Sequence, residues 1–216
     1  MATFLWGVDS AARVTPELYT CVQRNYGKPR FWGRYLTTVQ GAAEGLTREE
    51  INYLHRQGVK ILPIYNNFRE AVGYSRGQLV ARNTIFQAQR LRIPRGVYLF
   101  ANVERFFSVD EAWIRGWVNT FFPSGYKPGI YCDPVQGNFS AAYCQAVAKD
   151  RRVAEQTVLW SAEPEPGVSR ADQAPTFRPA KPPCPSNVYG WQYGRDSRTC
   201  PIDTNLIDQR LYDSLW

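Results

Sequence analysis

Over the first 150 residues, runs of β-branched and aromatic residues alternate with segments whose apolar positions recur at helical spacing. That rhythm predicts a mainly parallel sheet joined by helical crossovers. Strands are predicted at 4–10 (FLWGVDS), 31–38 (FWGRYLTT), 60–68 (KILPIYNNF), 96–104 (GVYLFANVE) and 128–134 (PGIYCDP). A first helix opens at Thr15 as cap with Pro16 in its first turn, and a second runs from the capping box Thr47/Glu50 to Gly58. A third covers about 77–92. The fourth starts at a second capping box, Ser108/Glu111, and carries Trp113, Trp117 and Phe121 at i, i+4 and i+8, a stripe expected to pack in the core; the fifth is AAYCQAVAKD.

Beyond residue 150 the rhythm changes. TVLWSAE, VYGWQYG and IDTNLID read as three more strands with no clear helices between them, followed by a terminal helix carrying Ile207, Leu211 and Leu215. A proline-rich stretch, 164–185, reads as an irregular surface loop long enough to need pinning. The expected fold is therefore a single α/β domain over 1–216, an irregular TIM-like barrel of about eight strands with five main helices and reduced crossovers after strand 5.

Composition narrows the function. With 44% hydrophobic, 14% aromatic and 21% charged residues, disorder and coiled coil are not expected. A net charge of +7 favours anionic partners, but the basic residues are scattered and no nucleic-acid motif is present, so a wall or other polyanion surface is favoured over nucleic acid. No apolar run reaches the ~18 residues a membrane span needs, and MATFLWGVDS lacks a signal-peptide pattern. A monomer without cofactor or metal is expected. No C-x-x-C pair occurs among Cys21, Cys132, Cys144, Cys184 and Cys200. Cys132 with Cys144 and Cys184 with Cys200 are near enough in sequence for loop-closing disulfides, which would imply an oxidising compartment; buried free thiols are the alternative, and Cys21 reads as an unpaired core residue. His55, the single histidine, is expected on the outer face of helix 2, which excludes a histidine-based triad.

Parallel barrels place their chemistry at the carboxyl ends of their strands, where residues i and i+2 share a face. Applied here, the rule collects Asp9, Arg34 or Tyr35, Tyr65 and Asn67, Asn102 and Glu104, Tyr131 and Asp133, Trp191 or Gln192, and Asp203 with Asn205. Aromatic, amide and carboxyl groups together suit a sugar. A carboxyl between aromatic walls keeps its proton by desolvation, and Glu104 is the natural candidate for such an acid. Salt bridges to Arg34 or Arg105 are the bland alternative for Glu104, and helix caps are the alternative for Asp9 and Asp203. Arg34 is also a candidate for binding an anionic substrate group such as a lactyl carboxylate.

GVDS at 7–10, ANVE at 101–104, GIYCDP at 129–134, VLWSAE at 158–163, WQYG at 191–194 and IDTN at 202–205 resemble, in order and spacing, the lysozymes of glycoside hydrolase family 25. GRYLTT at 33–38 and LPIYNN at 62–67 are more similar to a related bacterial glycoside-hydrolase-like domain. The resemblance implies an irregular barrel, Glu104 as general acid, and Asp9 and Asp203 in supporting catalytic roles. Asn102, Arg34, Tyr65, Asn67, Tyr131, Asp133, Trp191 and Gln192 are then the candidates for substrate binding. It also implies a polysaccharide or peptidoglycan partner and a secreted, periplasmic or wall-associated location. One departure stands out: the first acid of the family's D-x-E is Asn102, and glycoside hydrolysis usually uses two carboxyl groups. Hydrolysis with a second acid from Asp9 or Asp203 is therefore weighed against a non-catalytic carbohydrate-binding domain, and both against a polyanion-binding surface protein.

Overall fold

The computed structural model describes residues 3–216, and in it eight strands close into one barrel. The elements are β1 (Phe4–Asp9), α1 (Pro16–Asn25), β2 (Phe31–Tyr35), α2 (Arg48–Arg56), β3 (Lys60–Tyr65), α3 (Tyr74–Arg90), β4 (Tyr98–Asn102), α4 (Glu111–Phe121), β5 (Lys127–Cys132), α5 (Phe139–Lys149), α6 (Arg152–Gln156), β6 (Val158–Ala162), β7 (Asn187–Gly194), β8 (Asp203–Asp208) and α7 (Gln209–Asp213). Strands β1 to β7 run parallel, each beside the next. β8 is reversed and pairs antiparallel with both β7 and β1. The barrel expected from the sequence is present; the β5–β6 crossover carries α5 and the short α6, and the reduction falls after β6, as one long loop and one reversed strand.

Two apolar cores follow from the alternation of the strands. Leu5, Phe31, Leu62, Ile64, Phe100, Val158, Trp160 and Ile207 fill the barrel, joined from below by Leu211 and Leu215. The residues between them, among them Val8, Trp32, Ile61, Leu99 and Ile130, face the helices. The C-terminal segment seals the floor: Trp216 and Ile61 exchange backbone hydrogen bonds, and Tyr98 N–H donates to Ser214 O. α3 and α4 pack backbone to backbone through Gly77 and Gly116, since a Cβ at either would collide with a carbonyl of the other helix.

Helix starts follow local chemistry, with one correction. Thr15 and Thr47 cap α1 and α2, accepting from Leu18 N–H and Glu50 N–H. The cap of α4 is Asp110 rather than Ser108: its Oδ1 accepts from Trp113 N–H at 2.7 Å, and the same carboxylate holds Gly73 N–H at the start of α3. Glu111, expected to reach back to the cap, instead pairs with Arg115 and Lys149.

Cysteine pairing is the second correction. The disulfides are Cys21–Cys200 and Cys144–Cys184, and Cys132 is a buried free thiol. Sequence proximity misleads because Cys132 lies on the helix-facing side of β5, inside the outer core, whereas Cys144 sits beside the buried stripe of α5 and meets the proline-rich loop. That loop is pinned along its length. Glu163 accepts from Ala180 N–H at 2.6 Å, Ala171 N–H donates to Tyr26 O at 2.7 Å, and Phe177 stacks on Phe4 with centroids 4.4 Å apart. Among the described residues no helix is long and apolar enough to cross a membrane.

Cys21 and Cys200 are 179 positions apart, and chain-entropy arguments give such a closure a stabilisation of up to about 5 kcal/mol. Replacing both by serine is expected to lower the unfolding free energy by about 2 to 5 kcal/mol, read by chemical denaturation. Non-reducing peptide mapping should recover Cys21 joined to Cys200 and Cys144 joined to Cys184, with Cys132 alkylated only after unfolding.

Candidate functional site

At the mouth, the inward positions of the strands enclose a cavity of about 220 Å³ lined by Asp9, Tyr35, Ile64, Asn102, Glu104, Tyr131, Trp160, Gln192, Arg195 and Asp203. The reversal of β8 explains how Asp203 comes to be there. The amino end of β8, not its carboxyl end, faces the mouth, so Asp203 lies directly across the ladder from Asp9 at the carboxyl end of β1. Gly33 clears the space beneath, because a Cβ there would stand 2.6 Å from Asp9 Cβ and 3.3 Å from the Trp160 ring.

Gln192 joins the two carboxyls. Its Nε2 donates to Asp9 Oδ2 at 3.0 Å and to Asp203 Oδ2 at 3.1 Å, while its Oε1 accepts from Tyr131 Oη at 2.8 Å and from Arg195 at 3.4 Å. Asn205 is oriented in the same way: Trp160 Nε1 donates to its Oδ1 at 2.9 Å, and its Nδ2 donates to Asp9 Oδ2 at 2.7 Å. Asp203 Oδ1 accepts from Asp196 N–H at 2.7 Å. Burial raises the Asp9 carboxyl above the usual range despite the hydrogen bonds from Gln192 and Asn205 that lower it. Asp203 is pushed up to about 8, chiefly by desolvation and then by the neighbouring charge of Asp9. Two carboxyls so placed titrate as a unit, and the pair keeps a proton into the neutral range.

Glu104 lies two residues beyond the end of β4, half-buried at the rim, and accepts from Asn102 Nδ2 through Oε1 at 2.9 Å. The Asn102 amide oxygen takes part in no hydrogen bond among the described residues. The aromatic walls are Tyr35, Tyr131 and Trp160; desolvation raises both tyrosine hydroxyls, so these remain neutral donors.

Of the residues selected from the sequence, Asp9, Tyr35, Asn102, Glu104, Tyr131, Gln192 and Asp203 line this cavity and Asn205 supports Asp9, whereas Arg34, Tyr65, Asn67, Asp133 and Trp191 lie outside it. Arg34 points away, fully buried against α2, where Nε donates to Glu50 Oε1 at 2.6 Å and the other nitrogens bind Ser10 O, Ala11 O and Glu44 O. The inward residue of that pair is Tyr35. Tyr65 faces the helices and stacks on Phe68, because the inward residue of β3 is Ile64, and Asn67 is exposed in the loop beyond. Asp133 turns back to accept from Val135 and Gln136 N–H. Trp191 packs outward against Phe177, since Gln192 takes the inward position. Trp160 and Arg195 were not selected. Period-2 spacing along VLWSA marks Trp160, whereas nothing local to Arg195 marks it.

The family model described as Rv2525c-like, glycoside hydrolase-like domain matches residues 27–192. The chain belongs to that family. A solved structure of an uncharacterized B. stearothermophilus protein is 57% identical to it with a TM-score of 0.97, covering 98% of this chain and 100% of that one. A family GH25 lysozyme from Aspergillus fumigatus is similar in fold alone, at 12% identity and TM-score 0.59 over 98% of both chains. The modular autolysin LytC from Streptococcus pneumoniae, in complex with a synthetic peptidoglycan ligand, aligns at 13% identity and TM-score 0.58, covering 94% of this chain and 46% of LytC. Among curated proteins nothing matches. The expected resemblance to the lysozyme family is thus present in the fold.

Two buried charged arrangements, one outside the cavity and one within it, have measurable effects on stability. Arg34 and Glu50 are both almost completely buried, so removing one strands the other; Arg34→Met is expected to cost about 3 to 5 kcal/mol in chemical denaturation. The native state also holds a proton on the Asp9–Asp203 pair that the unfolded chain releases near pH 4, so its contribution to stability falls as pH rises from about 4 to about 8. Unfolding free energies measured across that range should decline with a slope on the order of 1 kcal/mol per pH unit relative to Asp203→Asn. Parallel curves for the two proteins would contradict the raised carboxyl.

Proposed function

We propose that this protein hydrolyses a cell-wall glycan, peptidoglycan being the best-supported substrate, with Glu104 as the proton donor. The observation that carries the reading is the convergence of three carboxyls from three different strand ends, Asp9, Glu104 and Asp203, on one cavity walled by aromatic and amide side chains. Aromatic faces suit the apolar side of a pyranose, and the amides of Asn102 and Gln192 suit its hydroxyl and acetamido groups. The basic net charge of +7 and two disulfides suit an exported protein working on an anionic wall.

In this reading Glu104 gives its proton to the glycosidic oxygen as the bond from C1 to that oxygen breaks. The carbonyl oxygen of the substrate's own acetamido group then closes on C1, and Asn102 orients that group by accepting its N–H through the free amide oxygen. Water attacks C1 in the second step, returning a proton to Glu104 as the ring opens. Asn102 supplies the hydrogen bond of the family's missing acid but not its charge. The Asp9–Asp203 pair, bridged by the N–H groups of Gln192, is a source of negative charge for the cation that forms at C1.

Asn102 itself favours a second reading, a carbohydrate-binding domain without turnover. Purified peptidoglycan incubated with the wild type should yield new reducing ends and soluble muropeptides, and Glu104→Gln should lower their release by about 10²–10⁴-fold while still binding the glycan. Wild-type protein that binds glycan but releases none at any pH from about 4 to 8 leaves only the binding reading.

A further inference from the structure

Arg195 follows β7 and is the single basic residue lining the cavity among the described residues. Three carboxyls line the same space, yet no ion pair among the described residues includes it. Its two hydrogen bonds go to neutral oxygens, Tyr131 Oη at 3.0 Å and Gln192 Oε1 at 3.4 Å, and both come from Nη2. Nε and Nη1 make no hydrogen bond with the described residues. Elsewhere the chain uses the guanidinium fork fully: Arg152 grips both oxygens of Asp150, and Arg210 both oxygens of Asp208. A half-buried arginine that is held through Nη2 alone keeps N–H groups on Nε and Nη1 that can donate to an anionic oxygen.

The surroundings say which anion. Nε and Nη1 lie on different edges of the guanidinium, so a ligand oxygen accepts from one of them at a time; a carboxylate can do so while adding only a single negative charge. A phosphate monoester would bring up to two charges beside Asp9, Glu104 and Asp203, where repulsion in a partly dry cavity is strong. Resting on the glycan-hydrolase reading above, we propose that Arg195 binds a carboxylate carried by the glycan itself. The substrate is then a β-linked amino-sugar polymer with a free carboxylate on a sugar beside the scissile bond, such as a 3-O-lactyl group not joined to a peptide. The anion-reading role expected of Arg34 passes to Arg195, because Arg34 is consumed by Glu50.

The test uses the Glu104→Gln protein, so that binding is measured without turnover, and three probes in calorimetry at neutral pH. These are a peptide-free tetrasaccharide of alternating N-acetylglucosamine and N-acetylmuramic acid, the same compound with its lactyl carboxyls converted to primary amides, and chitotetraose. The free acid is expected to bind at least about tenfold tighter than its amide. Adding Arg195→Gln should bring that ratio close to one, and Arg195→Lys should leave an intermediate preference. Equal affinity for acid and amide overturns the assignment, as does a preference that survives Arg195→Gln. The acid–amide comparison needs no change at Arg195, so equal affinities overturn the proposal even if the Arg195→Gln variant is unstable, and Arg195→Lys then carries the assignment to the residue. Binding of chitotetraose and both tetrasaccharides alike would remove only the carboxylate assignment; binding of none would remove the glycan reading as well.

Discussion

Closing this barrel with a strand that runs against both of its neighbours forces an amino end and a carboxyl end to share the same rim, and there Asp9 and Asp203 stand side by side. Two carboxylates in a partly dry cavity repel each other, and either would be expensive to ionise alone. Gln192 resolves the conflict by presenting two N–H bonds to the pair, and it can do so only because Tyr131 and Arg195 hold its carbonyl oxygen. The aromatic wall is tied to the same network, since Trp160 fixes Asn205, which also donates to Asp9. Orientation of the polar groups in the cavity thus traces back to the direction of one strand.

The separation into two cores confines the chemistry to the upper layer of the barrel. Below the cavity, Leu5, Phe31, Leu62 and Phe100 fill the interior, and the C-terminal segment closes the floor. Outside, the buried Arg34–Glu50 pair gathers the β1–α1 connection, β2 and α2, with Glu50 also accepting from Val14 N–H. An ion pair in this position gives little net stability against an apolar replacement, but it fixes the loop that follows Asp9. Glu104, by contrast, sits on a connection at the rim, where it meets solvent and an entering ligand together.

Much of the barrel was readable because alternation and caps are local. Thr15 with Pro16 and Thr47 with Glu50 mark α1 and α2, and the strand cores lie where the β-branched and aromatic runs predict them. Strand ends were overextended: strand 4 stops at Asn102, so Glu104 is a loop residue whose direction alternation alone cannot assign. Parity errors cost Tyr65 and Asn67, where Ile64 is the inward residue, and a choice between adjacent residues had to await the structure for Tyr35 over Arg34. Disulfide partners depend on which helix face meets which distant loop, as do the contacts of Arg195, and neither is encoded within a short window of sequence. Asp203 was placed at the mouth by a rule for parallel strands that β8 does not obey; its position is right because the reversal of the strand and the choice of its first residues offset each other.

The bond between Cys21 and Cys200 fastens α1 to the connection leading into β8, three residues before Asp203. That connection also carries Asp196, whose backbone amide holds Asp203 in place. Opening the bond would slacken this corner while the rest of the barrel, sealed through its own floor, stays closed. Thiol reductants would therefore loosen the hold on Asp203 at lower cost than unfolding the barrel, so the geometry of this corner depends on cysteines that stay oxidised.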